Sequence, residues 1–207
     1  MAPTPTLRGP ARLDAAAALA RLVEGNQRYT AGQPLHPDQS IERLRSIGAD
    51  QAPLAVVLTC ADAQMPPELI FDQGLGDLFV ARVAGNILSD VLLGSIEYAV
   101  QHFQIPLILV LGHQGCSALS AAVESVTKGR EAAGHAASLV DALRPAVEAA
   151  RQQPDDVLDK AVRANITLML KQLRTESPLL EEKLGRDELK LAGGYHSLDT
   201  GGVEMVG

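Results

Sequence analysis

The chain has 207 residues, 46% of them hydrophobic and 21% charged, with a formal net charge of -7. That length and apolar content are enough for a substantial buried core, in one domain or two. The acidic balance and the lack of any basic block argue against a nucleic-acid partner. No apolar run approaches the ~20 residues that a membrane-spanning helix needs.

Residues 1–11 carry three prolines and a glycine and are expected to form a loose tail. The N-terminus lacks signal-peptide order, which points to a cytoplasmic protein. Its two cysteines are then expected to be reduced, and catalytic or metal-binding. Asp14 can cap a helix from Ala15 to about Tyr29, with Leu19, Leu22 and Val23 on one face. A loop over 32–40 leads to a short helix, Ile41 to Ile47. PLAVVLT (53–59) is continuous, apolar and β-branched, as a fully buried strand should be. PPELIFDQG starts a short helix with proline in its first turn. DLFVARV (77–83) predicts a second buried strand. Ser89 or Asp90 opens a helix to about Phe103, Pro106 stops it, and LILVLG (107–112) predicts a third buried strand. Helices follow over 115–126, 135–152 and 155–174, with a loop over 128–134. ELKLAGGYHSLD and GGVEMV predict two late strands joined by a turn at Asp199–Gly202. Buried strands alternating with helices imply an α/β fold, with a mostly parallel sheet and helices on its faces. Sites in such sheets lie at the C-terminal ends of the strands.

Chemistry-bearing residues collect at those ends. TCADAQMPPE puts Cys60 and Asp62 just beyond the first strand, and GHQGCSAL puts His113 and Cys116 just beyond the third. If a helix starts near Gly115, the His-x-x-Cys spacing lets both side chains converge on one point. Two thiolates and an imidazole are a zinc-type donor set, and three protein ligands leave one position open. Asp62 is the nearby carboxylate that could fill or guard it. The alternative is ordinary: a cysteine as a small core residue and a histidine as a hydrogen-bonded structural group. His36, His102, His135 and His196 lack comparable neighbours and read as surface or structural residues.

Cys60-Ala61-Asp62, PPELIFDQGLGDLFVARVAGN, SIEYAV, GHQGCSAL and LDTGGVE together resemble the β-class carbonic anhydrases, from about Ala17 to Val206. The resemblance implies a four-stranded parallel sheet with a further, antiparallel edge strand, helices on both faces and an N-terminal helical arm. It implies a single domain over 12–207, self-associating as a homodimer or homotetramer. It implies Zn2+ on Cys60, His113 and Cys116, with CO2 and bicarbonate as substrates. Gln51 matches a glutamine that hydrogen-bonds substrate, and Phe79 and Tyr98 match aromatics that line the cleft from a neighbouring subunit, with Ala84 also in its wall. From the residues alone, Phe79 and Tyr98 would read as core packing.

The family pattern Cys-x-Asp-Ser-Arg is broken here: Ala63 and Gln64 stand where serine and arginine are expected, and Ser117 replaces a glycine. Asp62 and Gln64 thus occupy the catalytic pair. An arginine holds the aspartate off the metal through a charged two-pronged pair. A glutamine amide offers one neutral hydrogen bond, worth about 1–2 kcal/mol. The sequence therefore predicts that Asp62 turns onto the metal and closes the site, unless another cation such as Arg82 substitutes. Three readings follow: CO2 hydration, weakened by the missing arginine; a catalytically silent relative that binds or regulates, with Asp62 as fourth ligand; and a hydrolase of a CO2 analogue, carbonyl sulfide or carbon disulfide.

Overall fold

A computed structural model describes residues 13–48, 51–152 and 156–206; the expected tail over 1–11 lies outside them. Among the described residues, five strands form one sheet: β1 (Ala55–Thr59), β2 (Leu78–Arg82), β3 (Leu107–His113), β4 (Lys190–His196) and β5 (Val203–Val206). Their order is β2-β1-β3-β4-β5. The first four are parallel, and β5 pairs antiparallel with β4. Every residue of β1 and β3 is buried, so both faces of the sheet centre are covered.

β2 departs from expectation. Only Ala81 is fully buried, and Leu78, Phe79 and Val80 are half-exposed. Among the described residues the strand is an edge of the sheet, paired with β1. A short apolar run does not reveal whether its second flank is paired.

The helices are α1 (Ala15–Thr30), α2 (Ile41–Ile47), α3 (Pro67–Ile70), α4 (Asp90–Phe103), α5 (Ser117–Lys128), α6 (Ala136–Ala150), α7 (Val157–Thr175) and α8 (Pro178–Gly185). Asp14 caps α1 by accepting from the Ala17 N–H at 2.8 Å, and Ser89 caps α4 through the Leu92 N–H. Helix α8 was not foreseen. Ser177 caps it at the Leu180 N–H, and Pro178 occupies its first turn.

α1 lies on the sheet's flank through Ala18 and Leu22, both fully buried. Its contact with the chain after α3 is so close that a Cβ on Gly25 would sit 1.7 Å from the Phe71 carbonyl oxygen. Asn26 donates to the Ile70 and Gly201 carbonyls and accepts from the Val203 N–H. Asp72 accepts from Arg28 Nε at 2.6 Å and from the N–H groups of Leu35 and His36. α2, by contrast, buries none of its residues. On the opposite side, α7 buries Val162, Ile166 and Met169; Cβ atoms on Gly112 of β3 and Gly193 of β4 would strike Ile166.

Candidate metal centre

β1 and β3 are parallel neighbours, with Thr59 beside Leu111, so both chains leave the sheet at the same end. Cys60 follows β1 directly, and His113 is the last residue of β3. The helix expected near Gly115 begins instead at Ser117, with Cys116 at its N-cap. Convergence therefore does not come from helical spacing. Gly115, at φ +66°, turns the chain back, a conformation glycine adopts without steric cost. That turn brings Cys116 Sγ to 3.9 Å from Cys60 Sγ.

Cys60, Asp62, His113 and Cys116 each bring one ligand atom into a group within 4.8 Å of one another. Cys60, His113 and Cys116 are buried, and Asp62 is half-exposed. His113 Nδ1 lies 2.9 Å from the Gln114 carbonyl oxygen. That carbonyl can only accept, so Nδ1 carries the proton and Nε2 keeps its lone pair. Nε2 is buried without a hydrogen bond and stands 3.4 Å from Asp62 Oδ2. A buried orphan acceptor beside two thiols is what a metal ligand set presents. Tetrahedral zinc at bond lengths of about 2.0–2.3 Å requires ligand-to-ligand edges of roughly 3.3–3.8 Å. The N···O and S···S separations come close to those edges, so the donor set suits the ion, and Asp62 is near enough to be a candidate fourth ligand.

Three contacts tune the thiols. Cys60 Sγ accepts from the Gly85 N–H at 3.3 Å and the Asp62 N–H at 3.5 Å. The Cys60 thiol is held well below its usual range, first by the hydrogen bond from Cys116, against burial, and then by those N–H groups. Cys116 is pushed up correspondingly, because it keeps the proton the pair shares and is buried. Gly85 is itself fixed: the buried Asn165 of α7 donates to its carbonyl at 2.9 Å.

Asp62 is held by Ser117. The hydroxyl lies 2.7 Å from Oδ1 and 2.9 Å from Oδ2, and the Ser117 N–H lies 3.2 Å from Oδ2. Burial opposes the carboxylate charge, but the surrounding groups, the Ser117 hydroxyl and N–H first among them, together hold Asp62 below the usual carboxylate range. Gln64 is exposed and opens on a cavity of about 580 Å³ shared with Tyr29, His196 and Leu198; the carboxylate's hydrogen bonds come from Ser117. Arg82 does not replace the missing arginine. Its guanidinium donates to the backbone carbonyls of Cys60 and Asp62, at 3.0 and 2.7 Å, and so braces the loop rather than the carboxylate.

The remaining predicted residues are dispersed. Ala84 opens the 3-10 turn Ala84–Asn86, one residue before the N–H that meets Cys60. Gln51 is exposed and precedes β1, so the whole strand, about 17 Å long, separates it from Cys60. Phe79 pairs with Val56 near the start of β2 and lies against Phe103, ring centroids 6.3 Å apart. Tyr98 stacks on His102 and meets Phe103 edge-on. Within one chain, none of these three reaches the cysteines. His196 is buried beside His113 in the sheet register, with Nδ1 3.3 Å from Met65 Sδ; of its two expected roles, the structural one fits. His36, His102 and His135 are exposed. Ser117, Gly85 and Asn165 were not foreseen as site residues. A hydroxyl directly after Cys116 was visible in the sequence, but its partner was not.

Residues 55–203 match the carbonic anhydrase family. Carbonic anhydrase 2 of Mycobacterium tuberculosis is 38% identical over 185 residues, 89% of each chain. A carbonic anhydrase of Mycolicibacterium smegmatis is 38% identical over 189 residues, 91% of this chain and 92% of that one. Among solved structures, the β-carbonic anhydrase CcaA superposes with a TM-score of 0.70 at 27% identity, covering 91% of this chain and 87% of that one. A Coccomyxa β-carbonic anhydrase in complex with acetazolamide gives a TM-score of 0.70 at 28% identity, covering 90% and 85%. With the sheet order, the ligand cluster and these relatives in agreement, the chain belongs to the carbonic anhydrase family and to its β class.

Proposed function

We propose that this chain is a carbonate dehydratase, catalysing the reversible hydration of CO2 to bicarbonate and a proton, with Zn2+ held by Cys60, His113 and Cys116. The observation that carries this reading is the four-residue cluster of ligand atoms within 4.8 Å in a member of this family. The ion supplies the Lewis acidity that makes water a nucleophile near neutral pH. The chain's residues do the rest. The Gly85 N–H steadies the Cys60 thiolate, and the Gln114 carbonyl fixes the His113 tautomer. An Asp62 oxygen can accept a hydrogen bond from the attacking water and so orient it. Ala84 offers the small apolar wall that a linear, nonpolar substrate needs. Gln51, Phe79 and Tyr98 complete the cleft only from a second copy of the chain, so the proposal includes a homodimer, or a tetramer of two such pairs. Free, adjacent thiols suit a reducing cytoplasm.

A second reading has specific support. Asp62 Oδ2 lies 3.4 Å from His113 Nε2, near enough to serve as a fourth ligand, and among the described residues no guanidinium hydrogen-bonds to that carboxylate. In that state the protein would bind zinc without hydrating CO2, as a binding or regulatory module. Stopped-flow CO2 hydration by the zinc-loaded protein, beside Gln64→Arg, separates the two. The expected result is measurable native turnover that Gln64→Arg raises by about 10–100-fold. A silent native protein with an active variant would establish the closed reading. Silence of both would refute hydration.

A further inference from the structure

We propose that Ser117 is a positioning residue: a latch that holds the Asp62 carboxylate in the metal-ligand position and so opposes the opening of the site. The inference rests on the metal reading above and assigns to a single side chain which state of the site prevails.

The geometry is directional. Ser117 follows the ligand Cys116 and is the first residue of α5. Cys116 provides no side-chain cap for that helix, so the Ser117 N–H is among the free donors at the helix start. Asp62 Oδ2 takes that donor at 3.2 Å. The hydroxyl adds a second prong, 2.7 Å from Oδ1 and 2.9 Å from Oδ2. Its single proton lies between the two oxygens, so the carboxylate is gripped from one side by two donors. That side is the ligand loop itself, and the grip leaves Oδ2 facing His113 Nε2.

The usual restraint pulls the other way. An arginine at position 64 would draw the carboxylate outward with a full charge and two donors. Here Gln64 faces the open cavity beside Tyr29 and Leu198, and Arg82 is occupied by two backbone carbonyls. Among the described residues, none donates to the carboxylate from the outer side in competition with Ser117. A glycine at 117 would keep the N–H but lose the hydroxyl prong, and an inward grip would become a single neutral contact. The departures at 64 and 117 therefore act in the same direction: one removes the outward pull and the other adds an inward hold.

The test uses the full chain loaded with Co2+, whose visible absorption reports the number and type of ligands, and azide as a small competing anion. Wild type, Ser117→Ala, Ser117→Gly and Ser117→Thr are compared. The wild-type spectrum should be that of two sulfurs, one nitrogen and one oxygen, and should resist azide. Ser117→Ala and Ser117→Gly should keep cobalt but bind azide about 10-fold or more tightly. Ser117→Thr retains the hydroxyl and should restore resistance, which a merely structural role for Ser117 would not require. Ala and Gly variants that hold cobalt with wild-type spectra and wild-type azide response would overturn the latch while leaving the metal reading intact. A wild-type protein that takes up no cobalt would overturn both. Ser117 is exposed at a helix start, so these substitutions leave the core untouched.

Discussion

Asn165 touches no ligand atom, yet it sets the position of one. Its amide donates to the Gly85 carbonyl, and the N–H of that same residue points at Cys60 Sγ. Gly85 adopts φ +73°, and a Cβ there would press on Leu143 at 2.8 Å, so the turn is built for one residue type and pinned from α7. Asn165→Ala should leave a buried carbonyl unsatisfied, at a cost of about 1–3 kcal/mol. It should also weaken zinc about 10-fold, because a displaced N–H no longer steadies the thiolate. Competition with a chromophoric chelator measures the affinity, and urea melts measure the stability. Lost stability with unchanged zinc affinity would reduce Asn165 to packing. The clustering of the candidate ligands was legible because each is fixed by short-range rules: a strand end, a carboxylate two residues on, a His-x-x-Cys turn. Their supports were not. Ser117 lies 55 residues from Asp62 and Asn165 lies 80 from Gly85, and no local pattern joins such pairs.

At the scale of elements, boundaries marked by caps and prolines were readable. Asp14, Ser89 and Pro106 delimit segments as their chemistry requires. Signals that depend on neighbours failed: β2 reads as buried by composition but forms an edge, and α8 lacks a long periodic run. The docking of α1 was also hidden, since it depends on one glycine. Gly25 brings the helix against the Phe71 carbonyl at a separation that excludes any Cβ. Gly25→Ala would raise intrinsic helix propensity by roughly 1 kcal/mol, yet the clash with rigid backbone should prevail. The expected net loss is about 3 kcal/mol, a fall in Tm of roughly 6–12 °C for a chain of this size. Calorimetry decides the sign. A variant as stable as wild type, or more so, would show that α1 does not sit against the chain after α3 as described.

At the scale of the whole molecule, the distances between the predicted cleft residues carry the argument. Cys60 lies beyond the end of β1 and Gln51 before its start, so a rigid strand keeps them apart within one chain. Among the described residues, nothing pairs with the outer flank of β2. Near it α4 exposes Val91 at 83% and Tyr98 at 55%, an apolar surface that a second copy could cover. If each site takes its ligands from one subunit and Gln51 from the other, two different defects must complement. Gln51→Ala damages the cleft that its subunit lends to the partner, and Cys60→Ser destroys the metal site of its own subunit. In a mixed dimer one site receives both defects and the other receives neither. Random assortment makes half the dimers mixed, each with one intact site of two, so co-refolding an equal mixture should recover about a quarter of wild-type CO2 hydration from two impaired parents. Differently tagged subunits confirm that mixed dimers have formed. Mixed dimers no more active than the average of their parents would mean that each chain builds its site alone, and Gln51 would then have no part in the cleft.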